Sequence, residues 1–252
     1  MTNSKAFLHK RMLLTDRAKR AYERKGLYYL IRTSLIAGFA HLGVWYYRLF
    51  KSSETFEFQG KTFHYLFHPY QASWRNERAV FIPIFWDIVK RYQEQNKRIL
   101  ELGNMLSYVY DVKHDVLDKY EIAEGVINED VAEFHPSKQY DLIISILTLQ
   151  VVGWDEKPRD PMKTLHAINN LKNILAPGGQ LILALGLGYN TEMDKLLRNG
   201  VIHFDKQYYL KRISGYRWQQ VSSFDDIKDM KYDYSIPTAT GVLIGIIEKN
   251  TN

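Results

Sequence analysis

Nine residues constrain this chain more than any others: Arg98 to Leu106, Arg-Ile-Leu-Glu-Leu-Gly-Asn-Met-Leu. They read as a short buried strand, Arg98 to Leu102, that stops at Gly103 and turns sharply. A carboxylate, Glu101, sits at the carboxyl end of that strand. Open parallel sheets bind ligands beyond the carboxyl ends of their strands. A glycine there lets backbone approach a ligand that a Cβ would push away.

The segments after this turn alternate between strand and helix patterns. Val112 to Asp118 reads as a second strand, Gly125 to Val131 as a third and Gln139 to Leu149 as a fourth. The fourth is apolar nearly throughout, as a strand covered on both faces is. Asp160-Pro161 predicts a helix start, Leu165, Ile168, Leu171 and Leu175 its buried stripe, and Pro177-Gly178-Gly179 its end. Gln180 to Leu187 reads as a fifth strand, Glu192 to Arg198 as a helix, and Lys206 to Ile213 and Trp218 to Ser222 as polar, aromatic strands. Gly241 to Lys249 is a last buried strand. Such alternation predicts a parallel sheet with helices on both faces.

Upstream, the patterns differ. Residues 4–25 read as a charged helix, and Leu27 to Phe50 as an apolar segment interrupted by Arg32, His41 and Arg48. The uninterrupted run Leu35 to Ala40 is far short of the ~20 residues of a membrane span. Three placements stay open: a lid on the main domain, a membrane interface with basic residues on headgroups, or a contact with another subunit. Residues 54–68 alternate aromatics around Gln59-Gly60-Lys61 and read as a hairpin. It is a structural flap, or an aromatic pocket wall with His64 and His68 in reach. Val80 to Gln95 reads as an apolar helix starting near Ile82, with Pro83 in its first turn. The predicted organisation is a helical extension over 1–53, a hairpin and helix over 54–96, and the α/β domain over 97–252.

Composition narrows the chemistry. The chain has no cysteine, so disulfides, thiolate metal sites and cysteine nucleophiles are excluded. Its net charge of +6 is uneven: through Lys51 there are 11 Lys/Arg against 2 Asp/Glu, and beyond it 23 against 26. A basic arm of this kind suits nucleic acid, anionic lipid or an acidic partner. Because the charge does not continue onto the body, nucleic acid ranks last. No compact metal-ligand motif, no Gly-x-Gly-x-x-Gly after the first strand and no Gly-x-Ser-x-Gly is present. No signal peptide is evident, and a cytoplasmic protein, peripheral to a membrane or not, is the expectation.

Acidic residues sit at three successive strand ends: Glu101, Asp118 and Asp130. In a doubly wound sheet these ends line one crevice, where a carboxylate accepts hydrogen bonds from ribose hydroxyls. Together with Ile99-Leu100-Glu101-Leu102-Gly103, Tyr140-Asp141-Leu142-Ile143-Ile144-Ser145 and the run Leu171 to Gly179, they resemble the class I S-adenosylmethionine-dependent methyltransferases. The resemblance covers roughly Lys97 to Lys249 and is nearest to methyltransferase-like proteins of glycan assembly. It implies a doubly wound, mostly parallel seven-stranded Rossmann-like α/β sheet with an antiparallel last strand, and S-adenosylmethionine as cofactor.

Carried over residue by residue, the resemblance implies that Glu101 holds the cofactor's amino-acid end, with Gly103 and Asn104 in backbone contact. Asp118 would bind ribose, Asp130 adenine, and Ser145 and Ile146 would flank the methionine part. Candidate bases for a hydroxyl acceptor are Asp155, Glu156, His64 and His68, with His114 a further histidine. Trp154, Tyr189 and Asn190 would face the acceptor, a small molecule or glycan. Two departures stand out. Asn104, Met105, Leu106 and Ser107 replace the family's two further turn glycines, and only a short gap separates Asp118 from Gly125. A parallel crossover with its helix needs about 10–12 residues, so that helix is expected to be absent or reduced. The rival reading is a catalytically silent scaffold that keeps the fold.

Overall fold

A computed structural model describes residues 43–251. The charged helix expected over 4–25, and most of the apolar segment expected over 27–50, lie outside the described residues. The described chain opens in helix α1, residues 43–50. It continues with β1 (Thr55–Phe58), β2 (Lys61–His64), α2 (Arg78–Glu94), β3 (Ile99–Leu102), β4 (Asp115–Leu117), β5 (Val126–Ile127) and β6 (Tyr140–Ile146). Then follow α3 (Lys163–Asn173), β7 (Leu175–Gly186), α4 (Thr191–Arg198), β8 (Lys206–Ser214), β9 (Arg217–Val221) and β10 (Gly241–Glu248). Among the described residues no helix is long and apolar enough to cross a membrane.

The main sheet has eight strands in the order β5-β4-β3-β6-β7-β10-β8-β9. β5 through β7 are parallel, and β10 inserts antiparallel between β7 and β8. This is the doubly wound α/β arrangement expected, with an antiparallel last strand. β9 is one strand more than the seven expected; it pairs antiparallel on β8. The strand order reverses between β3 and β6, which is the topological switch point where such sheets hold ligands.

Alternation along the strands feeds two separate cores. Ile99, Leu142, Ile144 and Ile182 pack under α2 and the hairpin, while Leu100, Ile143, Leu181 and Leu183 pack under α3 and α4. Burying each such side chain contributes about 1.5–3 kcal/mol, so a one-residue slip of any central strand is heavily disfavoured. The hairpin expected around Gln59-Gly60-Lys61 closes through a two-residue turn with Gln59 and Gly60 both at positive φ (52° and 71°), and Lys61 pairs with Phe58.

The second, third and fourth strands are shorter than the expected Val112–Asp118, Gly125–Val131 and Gln139–Leu149, so Asp130 lies three residues beyond β5, and the helix boundaries differ too. α2 starts at Arg78, so Pro83 lies inside the helix rather than in its first turn. The carbonyl of Ala79, which the missing Pro83 N–H leaves unpaired, accepts Leu66 N–H at 3.0 Å instead. The proline is thereby tolerated, and the chain leaving the hairpin is fastened to α2. α3 starts at Lys163, and Asp160 accepts from Met162 N at 3.0 Å just ahead of it. Pro177-Gly178-Gly179 does not end the helix; it lies within β7, where Gly178 N donates to Lys249 O. The gap after Asp118 holds no helix: β4 and β5 are joined by residues 118–125, and β5 is two residues long.

Candidate functional site

A cavity of about 250 Å³ opens at the carboxyl ends of β3, β4, β5 and β6. Its apolar walls are Leu102, Leu117, Val131 and Val152; its polar lining is Asp118, Lys119, Glu129, Asp130, Asp155 and Glu156. Five carboxylates and the Lys119 ammonium form that lining, with the Lys163 ammonium bound to two of the carboxylates, so the cavity keeps an acidic excess. A larger hollow of about 460 Å³ lies on the other face of the sheet, between α2, the hairpin and β7, β10 and β8. It is distant from the switch point and floored by Ile182, Ile244 and Ile246, so the smaller cavity is the chemically informative one.

Asp118 follows β4 directly. Its Oδ1 accepts from Tyr120 N (2.9 Å) and Glu121 N (2.8 Å), fixing the turn, while its Oδ2 accepts no hydrogen bond among the described residues. Asp130 is held more firmly. Its Oδ2 takes Lys119 Nζ at 2.8 Å and Lys163 Nζ at 2.6 Å, and its Oδ1 takes Ala132 N at 3.0 Å. Glu156 Oε2 bridges the same two lysines at 3.2 and 2.6 Å, and its Oε1 accepts Gly153 N. Burial pushes the Asp130 carboxyl up, and the two ammonium groups outweigh it, bringing it down to about 2. The Glu156 carboxyl is likewise lowered, burial being outweighed by Lys163, Gly153 N and Lys119.

Asp155 sits at the exposed rim, its two oxygens accepting from the Tyr189 hydroxyl at 3.0 and 2.8 Å. Burial first, and then Asp155, push the Tyr189 phenol up to about 12. Tyr189 therefore meets the cavity through Asp155. Trp154 does not line it; its ring lies 4.0 Å under the Arg159 guanidinium. Asn190 is buried and caps α4: its Oδ1 accepts from Met193 N and its Nδ2 donates to Gln150 O.

The turn after β3 is closed on itself. Glu101 is fully buried; its Oε1 accepts from Met105 N (2.9 Å) and Leu106 N (2.8 Å), and its Oε2 lies 2.9 Å from His114 Nε2. Gly103 has φ +79°, and a Cβ there would meet Thr148 Oγ1 at 2.1 Å. The close approach that the glycine permits is therefore to Thr148. Asn104 Nδ2 donates to Glu121 Oε1, and Tyr70 stacks on Tyr108 with ring centroids 4.0 Å apart. A three-residue 3-10 turn, Leu106–Tyr108, stands where a helix would follow a glycine-rich loop. Ser145 and Ile146 are buried in the sheet and do not line the cavity; Ser145 Oγ accepts from Leu149 N.

The structure thus brings Asp118, Asp130, Asp155 and Glu156 together, and places Glu101, Gly103, Asn104, Ser145 and Ile146 beneath or beside them in packed protein. It does not bring His64 and His68 to the cavity. His64 is exposed on the hairpin, and His68 Nδ1 accepts from Tyr70 N, on the opposite face of the sheet. Sequence reasoning missed Lys119, Lys163 and Thr148. Lys119 was visible as the neighbour of Asp118; Lys163 and Thr148 reach the site only through tertiary folding. Among the described residues no group of three or more His, Asp or Glu could hold a metal ion.

No protein-family profile matches the sequence. No curated protein matches it. Among solved structures, the chain is similar to the N-methyltransferase NodS from Bradyrhizobium japonicum WM9, with 16% identity, 65% of this chain and 93% of that one covered, and a TM-score of 0.35. It is also similar to an S-adenosylmethionine-dependent methyltransferase from Clostridium acetobutylicum ATCC 824, with 11% identity, coverage of 65% and 89%, and a TM-score of 0.35. A third is a methyltransferase from Thermotoga maritima described as a possible histamine N-methyltransferase, with 13% identity, coverage of 66% and 97%, and a TM-score of 0.38. Likenesses this distant supply none of the residue roles below.

Proposed function

We propose that the cavity at the switch point binds S-adenosylmethionine and that the chain transfers its methyl group to a small molecule or glycan. The observation that carries this reading is Asp118: a carboxylate at the end of the second parallel strand, with one oxygen held by the turn and the other uncommitted at an acidic cavity. That oxygen suits ribose hydroxyls. The acidic lining disfavours a pyrophosphate-bearing dinucleotide and favours a ligand with positive charge. When bound, S-adenosylmethionine supplies a methyl group on a positively charged sulfur.

In this reading Asp118 holds the ribose, and Asp130 meets the base only after an ammonium group leaves it. For a hydroxyl acceptor, Asp155 is the better proton acceptor. It lies at the rim with a single phenol partner, whereas Glu156 is bound by two lysines and a backbone amide. With the cofactor supplying the methyl group, Asp155 would accept the proton that a hydroxyl acceptor gives up on becoming an ether.

A second reading is favoured by the closed turn. With Glu101 committed internally and Thr148 over Gly103, the cavity stops at Leu102 and Thr148. Its volume is below the ~300 Å³ at which small-molecule sites usually begin. Such a site takes a nucleoside without an amino-acid tail, as a silent binding protein would. Calorimetry separates the two. Methyl transfer expects S-adenosylhomocysteine to bind more tightly than adenosine; the silent reading expects equal affinities. Asp118→Asn keeps a turn acceptor and is expected to weaken either ligand about tenfold or more, the scale of a charged hydrogen bond. No saturable binding of S-adenosylhomocysteine, S-adenosylmethionine or adenosine refutes both.

A further inference from the structure

Helix α1 has two unlike faces. On the inner face Val44 is buried, and Tyr47 packs on Phe67, Trp74 and Tyr216 at centroid distances of 5.3, 5.0 and 5.1 Å. Arg48 Nε donates to Phe67 O at 2.8 Å, fixing the same side. Trp45, Tyr46, Leu49 and Phe50 form the outer face and are 62%, 54%, 68% and 68% exposed. Their spacing, i, i+1, i+4 and i+5, keeps them on one side of a helix. Single exposed hydrophobics are ordinary, but four large ones within six residues on a docked helix make a contiguous patch.

We infer that this outer face seats the protein on an anionic membrane surface. The residue types suit that occupant, and the charge of this end of the chain chooses it over another protein. Tryptophan and tyrosine beside leucine and phenylalanine are the residues that settle at the headgroup boundary, where one end of the ring is apolar and the other wet. The chain through Lys51 carries 11 Lys/Arg against 2 Asp/Glu, the excess that anionic headgroups attract. The remainder of the chain, at 23 against 26, has no such excess, so the attraction is local to this end. The helix lies in the interface plane with its apolar side chains inserted and does not span. This inference does not depend on what the acidic cavity binds.

The test is co-sedimentation of the full chain with vesicles of equal parts phosphatidylglycerol and phosphatidylcholine, or of phosphatidylcholine alone. The expected result is pelleting with the first and little with the second. Raising sodium chloride from about 0.1 M to about 1 M, which shortens the screening length from ~10 Å to ~3 Å, is expected to release most of it. The triple variant Trp45→Ser/Leu49→Ser/Phe50→Ser changes only exposed side chains and is expected to lose binding with its circular dichroism unchanged. Where that variant misfolds, the comparison of vesicle types decides alone. No pelleting with anionic vesicles overturns the inference, as does equal pelleting with both types. So does a stable dimer in light scattering that the triple variant dissolves, because the patch then belongs to a second copy.

Discussion

Gly103→Ala tests what the glycine after β3 is for. An alanine there takes φ +79°, in the left-handed region, at a cost of about 1–2 kcal/mol. Its Cβ also meets Thr148, with Oγ1 at 2.1 Å and Cβ and Cγ2 both at 3.0 Å. Backbone on both sides is held: Gly103 N donates to Leu117 O at 2.8 Å, and Leu147 N donates to Ala184 O at 3.0 Å. Neither segment yields cheaply, so overpacking adds about 1–3 kcal/mol. Alanine recovers about 0.4–1 kcal/mol through the unfolded chain. The net expectation is a loss of about 2–4 kcal/mol, read as a lower urea midpoint with an unchanged slope. Thr148→Ala alone removes a methyl and a hydroxyl whose bond to Ile146 O is long, at 3.4 Å, and costs little. In the double variant the 2.1 Å contact and one 3.0 Å contact vanish while the backbone strain stays. It is therefore expected to be more stable than the sum of the single effects by about 1–2 kcal/mol. Additive losses refute the contact. A Gly103→Ala protein of normal stability that no longer binds S-adenosylhomocysteine refutes the whole argument, since the glycine would then serve the ligand.

Other perturbations reach the same framework. The Asp130 carboxyl sits at about 2 in the folded protein against an ordinary 3.8, because the Lys119 and Lys163 ammonium groups outweigh burial. A lowered folded value means that its contribution is full above the unfolded value and is lost as pH falls toward 2. Asp130→Asn is expected to remove about 2 kcal/mol at neutral pH and to flatten the acid limb of stability against pH. An unchanged limb in urea titrations counts against the ion network. Gly245→Ala places a Cβ 2.3 Å from the Phe204 ring in the middle of β10, and a loss of about 1–3 kcal/mol is expected by thermal unfolding; no loss means the ring is free to move. Asn190→Ala removes the α4 cap and the bond to Gln150 O, and is expected to cost about 1–2 kcal/mol in urea unfolding. Asn190→Asp keeps the cap acceptor and is expected to cost less, so equal losses would place the effect elsewhere.

How far the sequence could be read follows from where each residue's energy comes from. β3, β6, β10 and the Gln180–Gly186 part of β7 were readable because strands buried on both faces must be apolar on both faces, whatever surrounds them. The missing crossover helix was readable from chain length alone, since eight residues, 118–125, cannot hold a parallel crossover and a helix. The start of α2 was not, because the proline that argues for Ile82 is accommodated by Leu66 N, a donor from the chain leaving the hairpin. Glu101 marks the deeper limit. A carboxylate at a strand end looks the same whether it serves a ligand or its own turn. Here Met105 N, Leu106 N and His114 decide for the turn, and none of those contacts is written in the spacing. Asp118 has the opposite history. Its turn takes one oxygen only, and the sequence cannot count oxygens. The strand-end carboxylates thus have unequal standing, and the case for ligand binding rests on the second of them rather than on the turn that first drew attention to the sheet.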